Sequence, residues 1–281
     1  MRMIKLLEQI TGNGTGTGTI SVQALGPYDL YGILIRKVSG AATLAQLTFK
    51  VKINGTVRKT YTGAQLNAEL VQMRATPYDS VTNPSLYIPF EMLGTKSAKQ
   101  RDACLVRVGG NGANTVEIVI VTNGATTPVF EVRQLCRSIV AGSPRPLLMS
   151  VTPVQISVDN SGIYKQVLPN LEYGSETSTY LHKLMVVKGG GNLLALQFKL
   201  NSFEIFDANV VDQNTLAFLG QTYTLGGYFT QSFISDLDGH PGMLDMTGYH
   251  SGDQKFVVRA ISDTTEVLDA LAYQVGNSYT A

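Results

Sequence analysis

The sequence predicts an all-β protein made of two tandem eight-stranded jelly-roll β-sandwiches, a double jelly roll with short helical inserts. Three observations carry this prediction. Short strands with period-two alternation occur along the whole of a 281-residue chain, with turn signals every ten or so residues. The chain resembles itself at an offset of 149 residues. The resulting unit of roughly 140 residues exceeds an immunoglobulin-type sandwich, which is nearer 100.

Strands are expected over Ile20–Leu25, Leu47–Ile53, Val116–Val121, Leu196–Leu200 and Phe256–Ile261, all rich in β-branched or aromatic residues. Asn-Gly pairs begin at Asn13, Asn54, Asn111 and Asn123 and supply the positive φ that hairpin turns require; Asp238-Gly239 adds a turn signal later. Helical periodicity is confined to Ala64–Arg74, with Leu66, Leu70 and Met73 on one face after Thr62-Gly63, and to Asp212–Leu219.

Sliding the chain on itself gives seven identities in 21 between residues 31–51 and 180–200, among them Tyr31/Tyr180, Leu47/Leu196, Phe49/Phe198 and Lys50/Lys199. Composition alone would give about one or two. The same offset pairs Leu70 with Leu219, inside the two helical pieces. The chain therefore reads as a duplication, with domains at 1–143, opening on a basic N-terminal arm, and 147–281. The seam Ala141-Gly142-Ser143-Pro144-Arg145-Pro146 holds two prolines that cannot join a ladder.

Charged residues make up only 15% of the chain and the net charge is +1, which predicts no bulk attraction to nucleic acid or anionic lipid. Residues 1–145 carry 16 Lys+Arg against 8 Asp+Glu, net +8, whereas residues 146–281 carry 6 against 13, net −7. No run approaches the roughly 18 apolar residues of a membrane-spanning helix. Lys5 and Glu8 interrupt any signal-peptide core, so the expectation is a mature protein made in the cytoplasm. Cys104 and Cys136 lack a CxxC spacing and read as two buried free thiols.

Candidate chemistry is sparse. His182, His240 and His250 form no HExxH or HxH, and read as turn or surface histidines. Asp236-Leu237-Asp238-Gly239 opens like a calcium loop but lacks a third acidic ligand and the closing Glu. Asp236 and Asp238 are thus the candidate ligands of a structural Ca²⁺, the alternative being a solvated turn. No other cofactor is indicated. The glycines of Gly12–Thr19 precede a strand, unlike a phosphate cradle, and read as a flexible arm. No GxSxG occurs, and a Ser-His-Asp set is spatial, so a hidden one is not visible in spacing. Asn13 and Asn54 match Asn-x-Thr without a secretory signal and read as accidental matches. With no Trp, aromatic platforms for glycans would fall to the 13 Tyr.

The order of a short basic arm, a β unit, the hairpin Leu47–Tyr61 with a helix after it, a seam, and the pattern again at Leu196–Leu219 resembles the small double jelly-roll major capsid proteins of tailless icosahedral bacteriophages with an internal membrane, the corticovirus type in particular. The resemblance covers essentially the whole chain. It implies a non-enzymatic capsid subunit, a homotrimer forming pseudo-hexagonal capsomers that meet neighbouring capsomers and other virion proteins over a lipid membrane. It also implies synthesis in the host bacterial cytoplasm and residence in the virion. The arm would face the membrane, where Arg2 and Lys5 beside Met3, Ile4, Leu6 and Leu7 offer cations to anionic lipid. Alternation of oppositely charged lobes around a ring would favour unlike neighbours. The alternative functions are a bimodular carbohydrate-binding β-sandwich and a jelly-roll hydrolase.

Overall fold

A computed structural model describes residues 3–11, 15–73, 75–92, 102–109, 114–139, 147–158, 166–167, 179–187, 193–200, 203–209, 222–225, 228–232, 244–245 and 256–276. The chain divides into two units, Met1–Met149 with Tyr279–Ala281, and Ser150–Ser278.

The first unit contains β1 (Met3–Thr11), β2 (Thr15–Gln23), β3 (Tyr28–Ala41), β4 (Leu47–Ile53), β5 (Thr56–Thr62), helix α1 (Gly63–Gln72), β6 (Ser85–Pro89), β7 (Val106–Val108) and β8 (Val116–Ser138). Its organising element is β8, a strand of 23 residues. The first half of β8 pairs antiparallel with β2 (Ile20↔Ile120) and β4 (Phe49↔Ile120). The second half pairs antiparallel with β1 (Ile4↔Leu135) and β3 (Ile33↔Gln134). β5 continues one set beside β4; β6 and β7 continue the other beside β3.

The change of neighbours coincides with register shifts opposite Gly16/Thr17 and Ser39/Ala41, and with positive φ at Gly124 (72°) and Thr127 (35°). Asn123-Gly124, expected to be a hairpin turn, is therefore an irregularity inside a continuous strand. A bulge needs the same left-handed backbone as a turn, so the dipeptide does not distinguish them. Asn54-Gly55 is the hairpin expected, with φ 51° and 80° between β4 and β5. The Gly-Thr run is not a flexible arm from Thr15 onward: it enters β2, where ladder bonds to β8 and the β-preference of Thr offset the entropy cost of glycine.

Alternation does the burying. Along β4, residues Leu47, Phe49, Val51 and Ile53 point inward and the residues between them outward. Helix α1 starts at Thr62, whose hydroxyl accepts from Gln65 N at 3.2 Å while Gln65 Oε1 accepts from Thr62 N at 2.9 Å, a reciprocal cap. The buried stripe of α1 is Gln65, Leu66, Ala68, Glu69 and Gln72, whereas Leu70 and Met73, expected with Leu66, are only half-buried.

The second unit contains β9 (Leu148–Val158), β10 (Gln166–Val167), β11 (Thr179–Val187), β12 (Leu193–Leu200), β13 (Phe203–Asn209), β14 (Thr222–Leu225), β15 (Tyr228–Ser232), β16 (Leu244–Asp245), β17 (Phe256–Ser262) and β18 (Glu266–Gly276). Its pairing repeats that of the first. The β12–β13 hairpin stands beside β17 as β4–β5 stands beside β8: Phe198 lies opposite Phe206 and Val258, Phe49 opposite Tyr61 and Ile120. β11 lies on β18 and β15 as β3 lies on β8 and β6. β9 neighbours β18, and β10 pairs with β17. The single β8 is here two strands, broken between Ser262 and Glu266. Leu184, Met185 and Val186 in β11, and Ala270–Val275 in β18, are buried in succession, so these strands are covered on both faces. The expected helix at 212–219 lies outside the described residues.

Candidate assembly surface

β1 turns Lys5 to one side of its sheet and Ile4 and Leu6 to the other. Lys5 Nζ donates to the hydroxyl of Tyr28 and stands 4.2 Å from the centre of that ring. On the inward side of β8, Gln134 is fully buried and closes a two-bond pair with Leu25: its Oε1 accepts from Leu25 N at 3.0 Å and its Nε2 donates to Leu25 O at 3.1 Å. A buried amide used in this way fixes the approach to β3 without leaving a polar atom dry. Ile4 and Leu6 are 61% and 54% exposed, among the most open large apolar side chains of the described residues.

The outward face of the same sheet ends in an ionic cluster. Asp29 on β3, 1% exposed, lies opposite Arg107 of β7 and Arg137 of β8. Arg107 Nε donates to Asp29 Oδ1 at 2.9 Å, and Arg137 Nε stands 3.6 Å from Asp29 Oδ2. Arg137 Nη1 donates to Asp102 Oδ2 at 2.6 Å and to the Tyr31 hydroxyl at 3.3 Å, its guanidinium 5.6 Å from the Tyr31 ring. Burial would lower the pKa of Arg137, but Tyr31, Asp102 and Asp29 outweigh it and hold the pKa above the ordinary value. The backbone carbonyl of Arg107 accepts from both N and Nδ2 of Asn114, and Asn114 Oδ1 accepts from Asn54 Nδ2 at 2.9 Å, tying the β4–β5 turn to the start of β8. That bond occupies the Asn54 amide.

Lys5 is half-buried on Tyr28. Arg2, Asp236, Asp238, His240 and His250 lie outside the described residues. His182 is not a turn or surface residue: it is buried on β11, at the register shift between Leu181 and Lys183. Tyr31 occupies the corresponding shift of β3, between Leu30 and Gly32. An extra residue at a bulge is turned out of the alternation that places its neighbours. Cys104 and Cys136 are free and buried; burial pushes the Cys104 thiol up to about 12 and raises that of Cys136 against a hydrogen bond from Gln134. Asp29, Arg107, Arg137 and Gln134 escaped sequence reasoning, the one available signal being a lone acid in the strand Tyr28-Asp29-Leu30-Tyr31. Among the described residues, no three His, Cys, Asp or Glu are grouped as metal ligands, and no helix is long and apolar enough to cross a membrane.

The net charges +8 and −7 fall one on each structural unit, since no charged residue lies between Pro146 and Met149 or in Tyr279–Ala281.

No protein-family model matches the sequence, and no curated protein matches it. Among solved structures, the chain is similar to the major capsid protein P2 of bacteriophage PM2, with a TM-score of 0.78, 16% identity, and coverage of 98% of this chain and 97% of that one. It is also similar to the major capsid protein of STIV, Sulfolobus Turreted Icosahedral Virus (TM-score 0.70, 11% identity, 99% and 98% covered). A third similar structure is the PBCV-1 virus capsid (TM-score 0.57, 10% identity, 100% and 97% covered). The fold of this chain is the double jelly roll.

Proposed function

We propose that this chain is a viral major capsid subunit, a structural protein without enzymatic activity that assembles as a homotrimer into pseudo-hexagonal capsomers of an icosahedral shell. The observation that carries the proposal is end-to-end similarity to the PM2 major capsid protein at nearly equal length, with 98% and 97% of the two chains covered. The repeated pairing pattern supports it physically: three copies of a two-unit chain supply six similar units, which tile a hexagonal lattice with three molecules. Partners are then further copies of the chain, neighbouring capsomers and other virion proteins. Synthesis is in the host bacterial cytoplasm and the final location is the virion. The shell overlies a lipid membrane, to which Arg2 of the N-terminal arm offers a cation by sequence position alone; Lys5, engaged by Tyr28, contributes less there.

The test is the native mass of the purified protein followed by electron microscopy. Particles near three times 30.3 kDa, roughly hexagonal in projection, support the reading. A monomer at every concentration that yields no capsomer-like particle overturns it.

A further inference from the structure

We infer that the outward face of β1, the second half of β8 and β3 is an interface on which the acidic second unit of another copy of this chain docks. The inference rests on the capsid reading and names the surface that reading leaves open. Cross-strand register sets out the face: Ile4 beside Leu135, and Leu6 beside Arg133, which lies beside Leu34. Tyr87 lies opposite Leu34 on β6, and its ring covers Gly32, where an added Cβ would sit 2.4 Å from it. Partners directly opposite in a ladder share a face, so these six side chains form one continuous patch, apolar except for Arg133.

Three features point to a protein occupant made of this same chain. Ile4 and Leu6 are more than half exposed on a strand whose only hydrogen-bonded neighbour among the described residues is β8. Edge strands of soluble proteins are ordinarily protected by charge or proline, and an unprotected apolar one marks an association surface. Lys5, the cation within this run, is turned away onto Tyr28, and Arg133, the cation on the patch itself, donates from Nε to Glu131 Oε1 at 2.5 Å, so both described cations near Ile4 and Leu6 are engaged within the protein, which disfavours an anionic bilayer as occupant. The unit bearing the patch has net charge +8 and the other unit −7, so each copy carries both members of a complementary pair. Contact between unlike surfaces is heterologous, and it closes into a ring when the rotation between copies permits.

The experiment uses the full chain. Sedimentation velocity across a concentration series compares wild type with Ile4→Ser/Leu6→Ser and with the exposed control Val57→Ser. The double variant is expected to raise the dissociation constant about tenfold or more, and the control to leave it unchanged. Leu6→p-benzoylphenylalanine, irradiated in a mixture of light- and heavy-isotope copies with phosphatidylglycerol vesicles present, should give adducts between residue 6 of one copy and residues 150–278 of another. This second arm also decides the matter if the double variant fails to fold. Adducts to residues 1–149 of the other copy, lipid adducts without protein ones, or an unchanged dissociation constant in a folded double variant overturn the inference. Failure of the wild type to associate at all overturns the capsid reading as well, which separates the two failures.

Discussion

Asp29 lies directly opposite Arg107 across the β3–β7 ladder and is almost fully buried beneath it, its Oδ1 accepting from Arg107 Nε at 2.9 Å. On its other flank Arg137 is opposite in the β3–β8 ladder, so one carboxylate serves two guanidinium groups. Removing it leaves two partly covered cations facing each other, which is more costly than losing a surface pair. Asp29→Ala should lower the unfolding free energy by about 3 kcal/mol. Arg107→Ala should cost less, because Asp29 retains Arg137. Denaturant midpoints at unchanged m-value check the order; equal costs would contradict a carboxylate-centred cluster.

Two glycines with similar backbone angles should respond differently to alanine. Gly40 has φ +74°, and a Cβ there would sit 2.3 Å from Thr127 O. Gly55 has φ +80° with nothing within 4 Å. Gly55→Ala should cost about 1 kcal/mol, the backbone term alone. Gly40→Ala should cost at least about 2 kcal/mol, because the collision is with backbone that cannot rotate away. Thermal melts of the two variants side by side decide it.

Phe49 is fully buried between Tyr61 on β5 and Ile120 on β8, its cross-strand partners. Phe49→Ala is expected to destabilise the protein by about 3–5 kcal/mol. Val57→Ala, on the adjoining strand but 47% exposed, should stay within about 0.5 kcal/mol. Chemical denaturation measures both.

Burial raises the Cys104 thiol from 9.0 to about 12, with Lys59 opposing weakly. The folded state therefore holds this proton more tightly than the unfolded chain, so the stabilising effect is complete below the unfolded pKa and is lost as pH rises from about 9 toward about 12. The stability gap between wild type and Cys104→Ala should narrow over that interval. A thiol reagent at pH 8 should modify Cys104 only on global unfolding, which mass spectrometry of the modified peptide can follow.

The strands most legible in the sequence are those whose burial is one-sided. Leu47–Ile53 was read to the residue because its inward and outward positions alternate without interruption. β8 was read only as far as Val121, since Asn123-Gly124 is as good a hairpin turn as it is a bulge, and only the pairing of Thr15–Gln23 across it settles which. The 149-residue offset aligns Phe49 with Phe198, and the pairing places them equivalently. The bulge, by contrast, aligns Tyr31 with His182, not Tyr180, because the offset is not constant along the repeat. Asp29 was invisible because its partner Arg107 is 78 residues away and no spacing rule joins them. The separation of Lys5 from Ile4 and Leu6 was not legible either, because composition does not say which side Lys5 takes once the segment becomes a strand.

The length of β8 also fixes an order of events during synthesis. Met3 pairs with Cys136 and Gln23 with Glu117, so the first two strands of the chain have their described partner only in the last strand of their own unit. At ordinary elongation rates of about 5–20 residues per second, they wait on the order of ten seconds after leaving the ribosome. The β4–β5 hairpin and α1 draw on near neighbours and need no such delay. The nascent chain thus carries Ile4, Leu6, Ile20 and Val22 without their described partner strand until β8, which ends at Ser138, emerges, a window in which these apolar side chains are open to a holding chaperone or to a neighbouring nascent copy.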